Sequence, residues 1–375
     1  MALNFSDFVL VFYPDKSVPW DDSPLLSDNE QLDRVLEPVH YTENLVRKFN
    51  IINSILGFLV NVLHFAVLTR KELRSSAIYI LLIGICVFDI IRITASLSLD
   101  IKFVLGYGRT EYCHHFDTYQ NVLFNIIASL FYSTTNRISS WLIIWMALFR
   151  TLSIIFPMSS LTQKLSEPAP ALKTLVVTVA ATVYYSILNT SFMIIPRNPA
   201  QYCLLNANST WHADEQYRQA EMEPTKSARA WEMILTVSKP ITHILLTSFL
   251  INAVIEAAKL RKNVRKTEAD KSDTTTKLIA LMAVLYDFAE ITSTLVDFLV
   301  DFSRDDDRYM FVLAALKIPI VTLFTINSSS HFFVCFFMSS QYRDTVKNLM
   351  GSGKSGTTVW SAEEQTGTLK NSLTG

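Results

Sequence analysis

The feature that most constrains this chain is a series of seven long apolar stretches separated by charged connections. A bilayer's hydrocarbon core is roughly 30 Å thick and a helix rises about 1.5 Å per residue, so about 20 mostly apolar residues are needed to cross it. The stretches that meet this requirement are residues 49–69, 77–99, 119–156, 171–195, 231–260, 277–301 and 309–338. Because a backbone in lipid must satisfy its own hydrogen bonds, the sequence predicts an all-α membrane protein, a seven-transmembrane helix bundle.

The composition fits this class and argues against others. Charged residues make up 18% of the chain, below the roughly 25% of a soluble domain. The formal net charge of −1 gives no overall basicity that would point to nucleic acid. Neither paired carboxylates, nor a Ser/His/Asp set, nor His/Glu metal ligands stand out at helical spacing. We therefore expect neither an enzyme nor a nucleic-acid partner, and membrane lipids as the surroundings.

Charge in the connections predicts the orientation. Acidic residues are frequent in residues 1–40 and in 301–307. Basic residues fill the first connection, residues 70–74, and the connection between the fifth and sixth stretches, residues 259–271. Because Lys and Arg accumulate on the cytoplasmic side of a membrane protein, we expect the N-terminus outside and the C-terminus inside.

The positions of the N-glycosylation sequons and of the cysteines can be compared with this predicted topology. Asn4 and Asn208 begin N-glycosylation sequons that fall on the predicted outside, although each tripeptide is a weak signal. Two of the four cysteines, Cys113 and Cys203, lie in polar connections, where a disulfide between them is possible. The other two lie in apolar stretches, where small buried side chains are expected.

Asp89 is the polar group that stands out in the second stretch. Charged side chains in spanning helices are costly and usually face the interior of the bundle. Two interpretations stay open, a hydrogen bond that packs helices together and a cation site. The polar residues at similar depth that could complete such a site are Ser139, Asn327, Ser328 and His331.

Arg137 lies about 20 Å from Arg150 along a helix, well inside the third span, so a partner is expected for it. Glu290 and Asp287 share a face of the sixth helix. Lys317 lies about two turns from the outer end of the seventh. The alternatives are a structural pair of Arg137 with Glu290, and a polar pocket that accepts a charged ligand. Arg150 either snorkels to lipid phosphates or changes partners between two packings of the bundle.

Two stretches carry a resemblance to a known family. Residues 327–343 resemble the seventh helix and following amphipathic helix of rhodopsin-like peptide receptors. They are most similar to the nematode serpentine receptors of class W, a chemoreceptor branch similar to FMRFamide-type neuropeptide receptors. Residues 141–158 resemble the third-helix end and second cytoplasmic loop of that group. The resemblance covers about residues 45–348, and its further landmarks are Gly57, Asn61, Asp89, Pro240 and Glu290.

The resemblance implies a G-protein-coupled receptor of the plasma membrane. Such a receptor binds an extracellular ligand, here a neuropeptide or a small molecule, and activates a heterotrimeric G protein. Arg150 would meet the G protein, and Cys113 with Cys203 would form a disulfide. The implied ligand-facing residues are Tyr132, Asn136, Arg137 and Glu290. Lys317 is added to this set because it lies about two turns from the outer end of the seventh helix. The implied pocket for an allosteric sodium ion consists of Asp89, Ser139, Asn327 and Ser328, and no other cofactor is expected.

Some residues depart from the family pattern. Phe149 stands where an acid normally precedes the arginine, and residues 331–335 replace the Asn-Pro-x-x-Tyr motif. A receptor-like scaffold that does not signal is therefore one alternative. A transporter or channel is another, with a polar path through Asp89, Arg137, Glu290 and Lys317.

The expected organisation has four parts. Residues 1–48 form an extracellular segment and 49–338 the seven-transmembrane receptor domain. Residues 339–350 form an amphipathic helix on the membrane surface, and 351–375 a disordered cytoplasmic tail.

Overall fold

The protein is described by a computed structural model over residues 26–105, 119–156, 158–189, 192–196, 217–221, 226–261, 270–302 and 307–349. The helices are α1 (Leu26–Leu68), α2 (Ala77–Val104), α3 (Tyr119–Ile155), α4 (Ser160–Leu165), α5 (Pro168–Asn189), α6 (Lys226–Arg261), α7 (Asp270–Phe302), α8 (Asp307–Met338) and α9 (Ser340–Leu349). Strands β1 (Phe192–Pro196) and β2 (Tyr217–Glu221) pair as an antiparallel ribbon. Each of the seven apolar stretches contains a long helix, so the predicted helical bundle is confirmed.

The seven long helices form a closed bundle in which α1 packs against both α2 and α8. α3 lies at the centre, in contact with α2, α5, α6 and α7. Large apolar side chains cover the outside, as at Leu56, Val177 and Phe249. Such a broad apolar surface needs an apolar surrounding. Within the described residues, five helices are long and apolar enough to cross a membrane: 41–68, 77–104, 119–155, 168–187 and 316–337.

Two helix boundaries differ from the prediction. α1 begins well before residue 49, because Glu43 and Arg47 pair one turn apart on the same helix and continue it through a polar segment. The fourth span was predicted to continue to residue 195, but α5 ends at Asn189. The following residues form β1, in which Ile194 and Ile195 have the β-branched side chains that favour strands.

The short helix α9 is tied to the bundle by buried hydroxyl groups. The Tyr342 hydroxyl lies 2.7 Å from His64 Nδ1 of α1. Ser339 Oγ lies 3.1 Å from the Tyr79 hydroxyl and accepts a hydrogen bond from the Tyr342 amide at 3.2 Å. Burial raises the pKa of Tyr342, so its hydroxyl stays protonated. This fixes one end of the bundle, called here the α9 end.

We expect Tyr342→Phe to lower the melting temperature of the purified protein by about 3 °C. The change leaves His64 Nδ1 buried without its partner, which costs about 1–3 kcal/mol, and each kcal/mol corresponds to about 2–4 °C in domains of about 150–250 residues. Thermal unfolding in detergent micelles measures the effect. Tyr184→Phe is the control, since Tyr184 is 66% exposed. Equal losses in both variants would contradict the role of the His64 contact.

Candidate functional site

The interior of the bundle contains charged and hydroxyl side chains from α2, α3, α6, α7 and α8. Each of these helices is otherwise rich in apolar residues, so the polar groups stand out against a low-dielectric surrounding. The polar groups form two main clusters. The first is centred on Asp89 and the second on Glu290.

The Asp89 cluster joins α2, α3 and α8. Asp89 Oδ1 accepts a hydrogen bond from Ser139 Oγ at 3.2 Å. The same oxygen lies 3.2 Å from Arg92 Nη2, and Asp89 Oδ2 lies 3.7 Å from His331 Nδ1. All four of these residues are buried. The structure therefore brings together Asp89, Ser139 and His331 as expected, and adds an arginine.

Arg92 was not predicted as a site residue. It lies three residues after Asp89, a spacing that places two side chains on one helix face, and this signal was available in the sequence. Its side chain is 3% exposed. Besides Asp89, Arg92 Nη2 donates to the carbonyl oxygen of Phe324 at 3.1 Å, and Cζ lies 5.6 Å from the Phe324 ring centroid. Arg92 thus ties α2 to α8.

Asn327 and Ser328, the other members of the predicted sodium pocket, lie on α8 between Phe324 and His331. Both are buried. Among the described residues, Asn327 Oδ1 and Ser328 Oγ have no hydrogen-bond partner. No group of three His, Cys, Asp or Glu in the described part of the chain is arranged to hold a metal ion. The sodium ion itself stays a prediction.

The Glu290 cluster joins α3, α6 and α7. Lys239 Nζ lies 3.1 Å from Glu290 Oε1. The Tyr286 hydroxyl donates to Glu290 Oε2 at 3.0 Å and is hydrogen-bonded to Ser140 of α3. Glu290 is 3% exposed and Lys239 16%. A carboxylate at this depth is held by one cation and one hydroxyl.

A second link joins the same three helices. His243 Nδ1 of α6 lies 3.3 Å from Asp287 Oδ1 of α7. His243 Nε2 lies 3.3 Å from the carbonyl oxygen of Ser140, and the His243 ring packs against that of Tyr286 at 5.0 Å between centroids. Any relative movement of α6 and α7 must therefore break or exchange these contacts.

One of the two alternatives was a structural pair of Arg137 with Glu290, and the structure places Lys239 beside that carboxylate. Arg137 instead reaches α5, with Cζ 5.0 Å from the centroid of the Tyr185 ring. The sequence alone could not show that Lys239 rather than Arg137 is the partner of Glu290. The packing of the bundle determines which helix faces that carboxylate. Lys239 immediately precedes Pro240 inside α6.

Two of the remaining predicted ligand residues, Tyr132 and Lys317, lie near charged groups. Lys317 Nζ of α8 lies 3.2 Å from Asp297 Oδ1 of α7. Tyr132 is buried on α3, where its hydroxyl is within electrostatic reach of Arg92 and Asp297. Asn136 is half-buried one turn further along α3. Tyr132 and Lys317 are thus brought towards one region, whereas Glu290 belongs to its own cluster.

A third polar cluster, at the end of the bundle opposite α9, was not predicted. Arg47 Nε and Nη1 lie 2.9 Å from Glu43 Oε1 and from Asp100 Oδ1, respectively. Asn50 hydrogen-bonds to Asp100, and Arg47 Cζ lies 3.9 Å from the Phe103 ring centroid. This cluster joins α1 to α2.

Arg150 lies in the last turns of α3, at the α9 end, and is half-buried. Its neighbour Phe149 is buried in the apolar core, 6.4 Å from the Trp145 ring between centroids. Cys86 and Cys335 are buried with free thiols. The predicted disulfide of Cys113 with Cys203 and the sequons at Asn4 and Asn208 lie outside the described residues.

Seven long helices around a charged interior define a multi-pass helical membrane protein. Residues 48–353 match the family described as serpentine type 7TM GPCR chemoreceptor Srw, and the chain belongs to this family. No curated protein matches the chain. Two predictions are thereby confirmed: that the chain is a serpentine receptor of class W, and that it is a multi-pass protein of the plasma membrane. The family is one of receptors, not of enzymes.

Proposed function

We propose that this receptor binds an extracellular neuropeptide and activates a heterotrimeric G protein. The observation that carries the proposal is the Glu290 cluster, which ties α3, α6 and α7 together through Lys239, Tyr286 and Ser140. These contacts join helices that would have to separate if the bundle adopted a second packing, which is the kind of element that a receptor of this family needs for switching. A ligand shifts such an equilibrium only by its difference in affinity for the two packings.

The orientation in this proposal follows from charge. The basic connections at residues 70–74 and 259–271 support an orientation with the α9 end in the cytoplasm. The ligand then enters from the opposite end. On that side Asn4 and Asn208 carry glycans, and Cys113 with Cys203 form the disulfide.

The ligand contacts that we propose are Tyr132, Asn136, Arg137, Glu290 and Lys317. The acidic outer segments, residues 1–40 and 301–307, steer a basic ligand towards this opening. A ligand cation would compete with Lys239 for Glu290, and loss of that pair would release α6 from α7. A basic, amidated peptide combines this charge with the length to reach the Glu290 cluster.

The test is G-protein activation in cells that express the full chain, measured as separation of Gα from Gβγ by energy transfer. The cells are exposed to a panel of amidated peptides and small metabolites, with cells lacking the chain as the control. We expect a saturable response to at least one basic peptide. Silence of a surface-expressed chain, together with ligand-independent ion flux, would contradict the proposal and favour a transporter or channel.

A further inference from the structure

We propose that Arg92 supplies the cation of the Asp89 cluster, so that this receptor holds its own side chain where the family resemblance implies a sodium ion. The position of Arg92 and the charges around Asp89 decide what neutralises this buried carboxylate, whether or not the receptor signals.

The position of Arg92 is fixed by contacts on two helices. Arg92 Nη2 lies 3.2 Å from Asp89 Oδ1 and 3.1 Å from the carbonyl oxygen of Phe324. Its guanidinium also lies 5.6 Å from the Phe324 ring centroid, a distance at which a cation is attracted to an aromatic face. These contacts hold the positive charge against Asp89 while bridging α2 and α8.

The charge balance leaves no place for a second cation. Arginine is always protonated in proteins, so Asp89 and Arg92 together carry no net charge. Arg92 and Ser139 both contact the same oxygen of Asp89, Oδ1. A sodium ion beside that carboxylate would be repelled by the buried guanidinium of Arg92, and this repulsion offsets much of its attraction to Asp89.

The neutral groups nearby do not change this balance. Asn327 Oδ1 and Ser328 Oγ, which have no hydrogen-bond partner among the described residues, offer oxygen atoms that suit either an ion or a water molecule. Two neutral oxygens do not offset the repulsion of a buried guanidinium. They would, however, help to complete an ion site if Arg92 were removed.

The first test compares sodium chloride with N-methyl-D-glucamine chloride at equal ionic strength. The measurement is the melting temperature of the purified full-length receptor in nanodiscs. We expect the wild type to melt at the same temperature in both salts. A saturable increase that is specific to sodium would overturn the proposal.

The second test removes the tethered cation. Arg92→Met leaves Asp89 unpaired, and we expect sodium to raise the melting temperature of this variant by about 3 °C at ten times its dissociation constant. The double variant D89N/R92M, which lacks both charges, and R92K, which keeps the cation, should show no sodium dependence. A folded R92M that ignores sodium would overturn the idea that Arg92 stands in for an ion.

If R92M does not fold, the wild type decides the outcome, with R92K and the double variant as its matched controls. Sodium-specific stabilisation of R92K alone would show that the wild-type guanidinium, rather than its charge, excludes the ion, and would overturn the charge argument. Neither measurement needs a ligand or a G protein, so its failure is distinguishable from failure of the proposed signalling function.

Discussion

Arg150→Ala is expected to abolish ligand-dependent G-protein activation while surface expression stays at the wild-type level. Arg150 lies in the last turns of the long central helix, at the proposed cytoplasmic face, and is half-buried. A cation there can bind carbonyl and carboxylate groups of a G-protein helix once the bundle opens. The expected loss of signalling is at least about tenfold, equivalent to about 1.4 kcal/mol of coupling free energy.

The matched control is Lys164→Ala, which removes an exposed cation from α4 at the same end of the bundle. Arg150→Lys keeps the charge but not the planar guanidinium, and we expect it to retain part of the response. If Arg150→Ala signals like Lys164→Ala at equal surface expression, coupling does not depend on this arginine.

The neighbour of Arg150 bears on how the resting state is held. Phe149, the residue before the arginine, has an uncharged side chain buried next to Trp145, and it therefore offers no carboxylate to pair with Arg150. The restraint on opening must therefore come from elsewhere. The Glu290 cluster, which links α3, α6 and α7, is the element we assign to this role.

The sequence was sufficient to predict the seven helices, because the apolar length needed to cross a bilayer is a property of each segment alone. The sequence did not predict helix boundaries that depend on contacts with neighbouring helices. α1 begins far earlier than predicted because Glu43 pairs with Arg47 on the same helix, and Arg47 also pairs with Asp100 of α2. Because both residues are charged, hydropathy alone predicts that the first span begins after them.

The interior ion pairs show the same limit. The residues that need partners could be named from the sequence, as for Glu290 and Arg137, because buried charges are costly. The partners could not, since Lys239 is far from Glu290 along the chain and His64 is far from Tyr342. The local pairs of Asp89 with Arg92 and of Glu43 with Arg47 are exceptions, and helical spacing alone could have found them.

Lys239→Met is expected to destabilise the receptor strongly. It leaves Glu290, which is 3% exposed, without its cation, and breaking a buried pair from one side costs about 3–5 kcal/mol. We expect a fall in melting temperature of roughly 10 °C. Lys173→Met, which removes an exposed lysine from α5, is the matched control and should change the melting temperature little.

The double variant Lys239→Met/Glu290→Leu separates stability from switching. Replacing a buried pair by apolar residues is often neutral or stabilising, so we expect the double variant to recover most of the melting temperature lost by Lys239→Met. A pair that only stabilises the fold would then leave signalling intact. A pair that restrains α6 against α7 would leave a folded receptor with raised basal G-protein activation and no further response to ligand. We expect the second result, because Tyr286 and Ser140 link the same carboxylate to the central helix; normal ligand-dependent signalling in the folded double variant would contradict it.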